Sequence, residues 1–373
     1  VVIINGCYGL VDAPRHWRQS LVKALQSLGY RESRMDPCLY RLHHQGELVG
    51  MIAVEVDDLF TVGTGIHHEQ MKKLRSMYQF GKWVELQETE QGASFNGRRI
   101  RQTKEGGFCL DMQKFVEERL QPIEIEPQRK KQKEDPVTEE ERSKARTVCG
   151  ALNWLSKEGR PDASAAASLL SSKISHMKVQ DLLDINGAVA EIKKRPALET
   201  KIQPLRDMRL AVITDASFGN HGFHSQGGQM IISHEEGLKE GKEVTANLLW
   251  WRSGKLQQVV NLTLAAETQS LSKGIGDLMW MTVLFKELQT EDMMLRSWSK
   301  EIDQKEILVM ASQESEEQLK ESLAVVDAKS LYDYLAKETI GGQDKRTAIE
   351  VQIIREDLQR IGGVIRWVDH QAM

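Results

Sequence analysis

Two places in this 373-residue sequence group carboxylates in a pattern that chemistry can use. The first is Asp57–Asp58, which interrupts apolar, β-branched sequence: LVGMIAVEV leads up to it and LFTV follows. Neighbouring strand residues point to opposite faces, so two adjacent aspartates serve one site only at a turn between strands. Held there they repel each other unless a cation lies between them. Mg²⁺ is the natural partner, because it takes hard oxygen ligands and completes its shell with substrate phosphates. Taken alone, the dipeptide reads more simply as a surface turn, where Asp is common.

The second group is spread along the chain. Asp215 ends the apolar run LAVIT, Glu267 lies in the first turns of a long helical pattern (LTLAAETQSL), and Asp327 ends LAVV and opens a helix. Carboxylates at strand ends and on one facing helix can converge on a single cavity. That is the arrangement needed to hold two divalent ions about 3.5–4 Å apart. Each acid by itself reads as a solvated charge or, for Asp327, as a helix N-cap.

The elements that must position these groups follow from periodicity and punctuation. Residues 14–29 keep a helical spacing (Trp17, Leu21, Ala24, Leu25, Leu28), with Pro14 in the first turn and Gly29 as the stop. Residues 48–60 read as two strands around the aspartate turn, 67–80 as a helix, 92–110 as a hairpin turning at Gly106–Gly107, and 112–120 as a helix. Three prolines and opposed charge runs over 122–142 read as a linker or exposed loop, and 143–194 as mostly helical. From Arg209 the pattern is three strands (LAVITDAS, GGQMIIS, LLWWRSGK), a helix over 262–288, a strand (LAVVD), helices from Ala328 and from Arg346, and a last strand, VIRWVD. The acidic stretch 290–321 reads as a loop insertion or a disordered segment. The fold class expected is α/β (α+β), with a mixed-sheet unit at the C-terminal end.

Composition sets the outer bounds. At roughly 100–200 residues per domain the length suggests two or three domains, and 40% hydrophobic residues suffice for real cores. The formal net charge of −4 gives no overall basic signature of a nucleic-acid binder, although phosphates respond to the local groove rather than to the sum. Cys7, Cys38, Cys109 and Cys149 are far apart and form neither a CxxC pair nor a readable zinc site, so reduced cysteines are expected. No apolar run approaches the roughly 18 residues of a membrane span. Val1–Asn5 has no signal pattern, and both ends read as cut within a domain. An intracellular place, in a cytoplasmic particle or the nucleus, is expected.

Longer motifs narrow the reading. YGLVDAPRHW (8–17), SLGYRESRMDPCLYRL (27–42) and VEVDDLFTVG (54–63), in that order, resemble the reverse transcriptases of copia-type LTR retrotransposons. The resemblance continues through CGALNWLSKEGRPDASAAASLLS (149–171) and then TDASF (214–218), GGQMIIS (227–233), LLWWRSGK (248–255), TLAAETQSL (263–271) and DAKSL (327–331), which resemble the RNase H half of the same Pol polyprotein. It implies a partial reverse-transcriptase palm over 1–121, a linker and helical thumb or connection over 122–205, and an RNase H-like domain over 206–373. It implies that Asp57 and Asp58 are the paired palm carboxylates. Asp215, Glu267 and Asp327 would be nuclease carboxylates binding Mg²⁺ or Mn²⁺.

Three departures from the pattern bear on activity. Glu55 stands where the family's catalytic hairpin has Tyr. The family's other palm aspartate lies on a strand that would precede Val1, so polymerase activity is expected to be lost. The family's fourth nuclease carboxylate belongs to a motif that would follow the last strand, with Glu350, Asp369 or His370 as partial substitutes.

The implied partners are an RNA–DNA hybrid, or an RNA template with a DNA primer, with dNTP only if the polymerase is competent. Arg98, Arg99 and Arg101, with Lys104, form one basic cluster that could meet phosphates; Arg129–Lys133 and Lys193–Arg195 form others. Trp251 and Arg252, beside Trp250, could line a duplex path. Each basic cluster alone reads more simply as solvated charge, and the tryptophan pair on its strand reads equally well as core. The alternative to a hybrid ribonuclease is a decayed or repurposed fragment that binds nucleic acid without catalysis.

Overall fold

The computed structural model describes residues 11–221, 224–291, 322–337 and 344–372. The chain divides into two compact units. One comprises Val1–Glu88 with Trp280–Glu314, the other Thr89–Met279 with Ser315–Met373. The division follows spatial contacts rather than composition, so residues 89–121 fall in the second unit. Most of the acidic stretch 290–321, together with Cys7 and the start of the YGL motif, lies outside the described residues.

In the first unit, α1 (Ala13–Ser27) and α2 (Gly65–Met77) accompany an antiparallel sheet. Its strands β1 (Arg31–Glu32), β2 (Leu39–His44), β3 (Glu47–Glu55) and β4 (Asp58–Gly63) lie in sequential order. Leu21 and Leu25 of α1, Tyr40, Ile52, and Met71 and Leu74 of α2 form one buried cluster. The expected helices and the hairpin around Asp57–Asp58 are present. Strands β1 and β2 go beyond the sequence pattern, and Arg41 explains why: a buried arginine in mid-strand breaks the apolar run. Its guanidinium reaches the carbonyl of Glu287 and that of Thr290 (3.2 Å) and pairs with the Glu287 carboxylate at 3.6 Å. That carboxylate also accepts from Ser33 Oγ (2.6 Å) and the Arg34 amide (2.9 Å). A charge enters the core here because an opposite charge and main-chain acceptors meet it.

The second unit holds two further sheets. The antiparallel sheet β5–β6–β7–β8 uses Ala93–Phe95, Arg98–Gln102, Phe108–Asp111 and, from far along the chain, Glu199–Ile202. Beside it in sequence lie α3 (Gln113–Glu118), α4 (Glu139–Glu158), α5 (Ser164–Ser172) and α6 (Val179–Lys193). Their shared core includes Leu152, Leu155, Leu182, Ile185 and Val189. The segment expected to be a linker is fixed in place. Ile123 and Val137 are buried, and Arg129 donates to Glu141 (2.9 Å) and to the Pro136 carbonyl (2.8 Å). Thr138 and Glu141 complete a reciprocal cap at the start of α4.

The last sheet is mixed. Strands β9 (Arg209–His221), β10 (His224–His234) and β11 (Ala246–Lys255) form an antiparallel meander. Strands β12 (Leu323–Val326) and β13 (Val364–Trp367) extend it in parallel, giving the order β11–β10–β9–β12–β13. Helix α7 (Thr263–Gln289) connects β11 to β12; α8 (Lys329–Ala336) and α9 (Lys345–Arg360) precede β13. This is the expected order of elements. Residues 263–279 of α7 belong to this unit and residues 280–289 to the first. Among the described residues, no helix is long and apolar enough to cross a membrane. Cys109 and Cys149 are buried and Cys38 half-buried, all as free thiols.

Arg160 yields a stability prediction. Its side chain is fully buried and bound bidentately by Asp162 (2.9 and 2.8 Å), with a third bond to the Arg195 carbonyl (3.0 Å). Asp162→Ala leaves that charge buried without its partner. The cost is about 3 kcal/mol, which lowers the Tm of the full chain by roughly 4 °C. A loss below roughly 2 °C in thermal denaturation would contradict this.

Candidate metal centre

The parallel register of β9 and β12 sets the first two ligands. Val326 pairs with Thr214, so the next residues, Asp327 and Asp215, follow on neighbouring strands. Asp215 is exposed at this point of β9, and Asp327 is half-buried at the end of β12.

Helix α7 supplies the third ligand, and small residues let it come close. A Cβ on Gly274 would lie 2.6 Å from Thr214 Cγ2, and one on Gly227 would lie 3.1 Å from Ser270 Oγ. Ser270 Oγ donates to the Asp215 carbonyl at 2.9 Å and accepts from Gln229 Nε2 at 3.0 Å. Ser270 and Gly274 follow Glu267 by three and seven residues, so the three share one helical face. The contact that seats the helix on the strand therefore also delivers Glu267 to the strand ends.

Asp215, Glu267 and Asp327 each offer a carboxylate oxygen, and these oxygens all lie within 4.8 Å of one another. Among the described residues, no other group of three or more His, Cys, Asp or Glu side chains meets that spacing. Glu267 is 4% exposed, and its Oε2 has no hydrogen-bond partner. Burial, and then the charges of Asp215 and Asp327, push its carboxyl up to about 8. Burial and Asp327 raise Asp215 as well. Repelling acids of this kind, one with a lone buried oxygen, fit a hard divalent cation.

Asp327 is not used as a helix cap. The cap position of α8 is Ala328, with no side-chain bond. Asp344 shows the contrast at α9: its carboxylate accepts from the amides of Arg346 (3.0 Å) and Thr347 (3.5 Å). The substitutes considered for a fourth carboxylate stay outside the cluster. Glu350 is not a member, and Asp369 and His370 are exposed and 3.3 Å from each other.

Asp57 and Asp58 occupy the tip of the β3–β4 hairpin, where Glu55 pairs with Asp58 across a two-residue turn. Val56 in that turn has φ +54°, a conformation that β-branched residues rarely adopt. The Trp17 indole donates to its carbonyl at 2.9 Å. Both aspartates are exposed and belong to no three-ligand group among the described residues.

The basic cluster considered for phosphates is internally neutralised. Arg98 pairs with Glu158, Arg101 with Glu199, and Arg99 with Asp111 at 2.8 Å. The Trp251 indole donates to the Ser156 carbonyl at 2.6 Å. Arg252 differs: among the described residues it forms no ion pair, and it lines a cavity of about 280 Å³ with Lys255 and Lys273. Ser270 and Gly274 join the site beyond what the motifs imply. Their small size at helical spacing after Glu267 is the sequence signal that points to them.

No family model matches the sequence, and no curated protein matches it. Among solved structures, the chain is similar to a foamy viral protease–reverse transcriptase in complex with double-stranded DNA (TM-score 0.48, 11% identity, 98% of this chain and 60% of that one). It is also similar to the dRH form of that protein, again with double-stranded DNA (TM-score 0.49, 14% identity, 96% of this chain and 50% of that one). The chain thus spans about half to three fifths of the length of those proteins.

The raised Glu267 carboxyl has a consequence for stability. Between pH 4.5, its ordinary value, and about 8, folded Glu267 holds a proton that the unfolded chain has released. Stability of the metal-free chain therefore falls as pH rises through this window. Glu267→Gln removes that penalty and raises the Tm at pH 8 by roughly 5 °C, with little effect near pH 4.5. Mg²⁺, replacing the proton, narrows the gap between the two proteins. Thermal denaturation at pH values from about 4.5 to about 8 checks this. If Glu267→Gln gains no more over wild type at the upper end of that range than at the lower, the prediction fails.

Proposed function

We propose that the chain is part of a copia-type retrotransposon Pol polyprotein and that its C-terminal domain hydrolyses the RNA strand of an RNA–DNA hybrid. The observation that carries this reading is the convergence of Asp215, Glu267 and Asp327 from two strand ends and one helix. These are the residues at which the motifs TDASF, TLAAETQSL and DAKSL place the family's carboxylates. On this reading residues 1–121 correspond to the palm, 122–205 to the connection and 206–373 to the nuclease.

Mg²⁺ or Mn²⁺, when bound, supplies Lewis-acid stabilisation of the attacking and leaving oxygens in phosphodiester hydrolysis. The chain's own part is positional. The β9–β12 register fixes Asp215 and Asp327, and Ser270 fixes the helix that carries Glu267. Glu267 gives up its proton when a cation takes its place, so cation binding strengthens as pH rises toward about 8. The hairpin aspartates, Asp57 and Asp58, are the polymerase counterpart in this reading; their exposed setting makes the nuclease the better-supported activity.

The test is incubation of the full chain with a labelled RNA–DNA hybrid and Mg²⁺ or Mn²⁺. Cleavage confined to the RNA strand is expected. Asp215→Asn or Glu267→Gln should lower the rate by on the order of a thousandfold, the loss of about 4 kcal/mol of transition-state stabilisation. Absence of cleavage in either metal would leave nucleic-acid binding without catalysis as the surviving account.

A further inference from the structure

The junction after β12 raises a question that the cluster alone does not answer. A strand that turns directly into a helix has loose carbonyl and amide groups, and an aspartate there commonly serves as the cap. At Asp344 the fold does this. At Asp327 it does not, yet α8 begins two residues later and its capping residue, Ala328, makes no side-chain bond. Something else must hold this junction if the Asp327 carboxylate is to stay free for the cluster.

Trp367, the last residue of β13, is placed to do so. It pairs with Val326 across the parallel ladder, and its indole Nε1–H donates to the Asp327 carbonyl at 2.8 Å. The Val368 amide donates to the Val326 carbonyl at 3.0 Å. The Trp367 ring also lies under the Lys329 ammonium, 5.5 Å from the ring centroid, at the first residue of α8. One side chain thus holds the residue that follows the strand, Asp327, and the residue that starts the helix, Lys329. Trp367 is 38% exposed, so filling the core is not what its size serves.

We propose that Trp367 is a positioning residue for Asp327: its indole N–H and ring hold the strand-to-helix junction in place of a side-chain cap and so leave the carboxylate free to bind a cation. This rests on the divalent-cation reading of the cluster given above. Partners that orient ligands from outside a metal site change metal affinity by about 10- to 100-fold when removed.

The experiment is calorimetric titration of the full-length chain with Mn²⁺ alone, without nucleic acid, beside metal-free thermal denaturation. Trp367→Phe keeps a ring over Lys329 and removes the N–H. It is expected to weaken Mn²⁺ binding at least about tenfold, with the metal-free Tm near that of wild type. Trp367→His, which retains a ring N–H, is expected to recover part of the affinity. Should the Phe variant not fold, Trp367→Met lacks the donor too and is read against the same expectation.

Wild-type affinity in the donor-free variant overturns the assignment while leaving the cation site standing. Failure of the wild-type chain to bind Mn²⁺, or unchanged binding by Asp327→Asn, overturns the cation reading itself and this inference with it.

Discussion

Carboxylates held within 4.8 Å of one another at a partly buried place repel, and a fold tolerates that only if its framework forces them together. Much of the C-terminal sheet can be read as that framework. The parallel pairing of β12 with β9 aligns two strand ends. The close seating of α7, permitted by Gly274 and Gly227 and secured by Ser270, brings Glu267 above them. The repulsion is expressed as protonation, because Glu267 keeps its proton to about pH 8 in the absence of a cation. A hard divalent ion relieves the same repulsion, so one constraint links the fold, the titration behaviour and the chemistry proposed.

The contrast between the two aspartate sites follows from their surroundings. Asp57 and Asp58 ride on a hairpin tip, exposed, with a left-handed valine beside them and a tryptophan bond fixing the turn. They lack the burial that raises the energy of a charged carboxylate at Glu267. The arginines with a sequence case for phosphate contact are likewise explained locally: Arg98, Arg99 and Arg101 each face an acid across or beside the β5–β8 sheet. Ion pairs of this sort look like a basic patch in sequence, because their partners Glu158, Asp111 and Glu199 lie elsewhere in the chain.

The C-terminal sheet was legible because its strands and helices obey simple periods and its acids sit at the boundaries between them. LAVIT, LAVV and the 262–288 helix could be placed from pattern alone; the pattern allowed their carboxylates to converge, and the resemblance to the RNase H half grouped them. What the pattern does not display depends on long-range pairing. Strand β2 contains a buried arginine matched by Glu287, and β8 joins its sheet across a long stretch of mostly helical sequence. The 122–142 segment has a linker's composition, but Arg129 and the Thr138–Glu141 cap fix it to its surroundings. Trp367 carries no signal of its own, since its partner is a main-chain carbonyl that no sequence pattern displays.

On this account Asp215, Glu267 and Asp327 are ligands of one divalent cation. Anomalous diffraction from crystals of the full chain soaked in Mn²⁺ locates that ion. A manganese peak bounded by oxygens from all three carboxylates is the expected result. Crystals in which manganese binds elsewhere, or in which the three carboxylates stand apart with no peak between them, would contradict it.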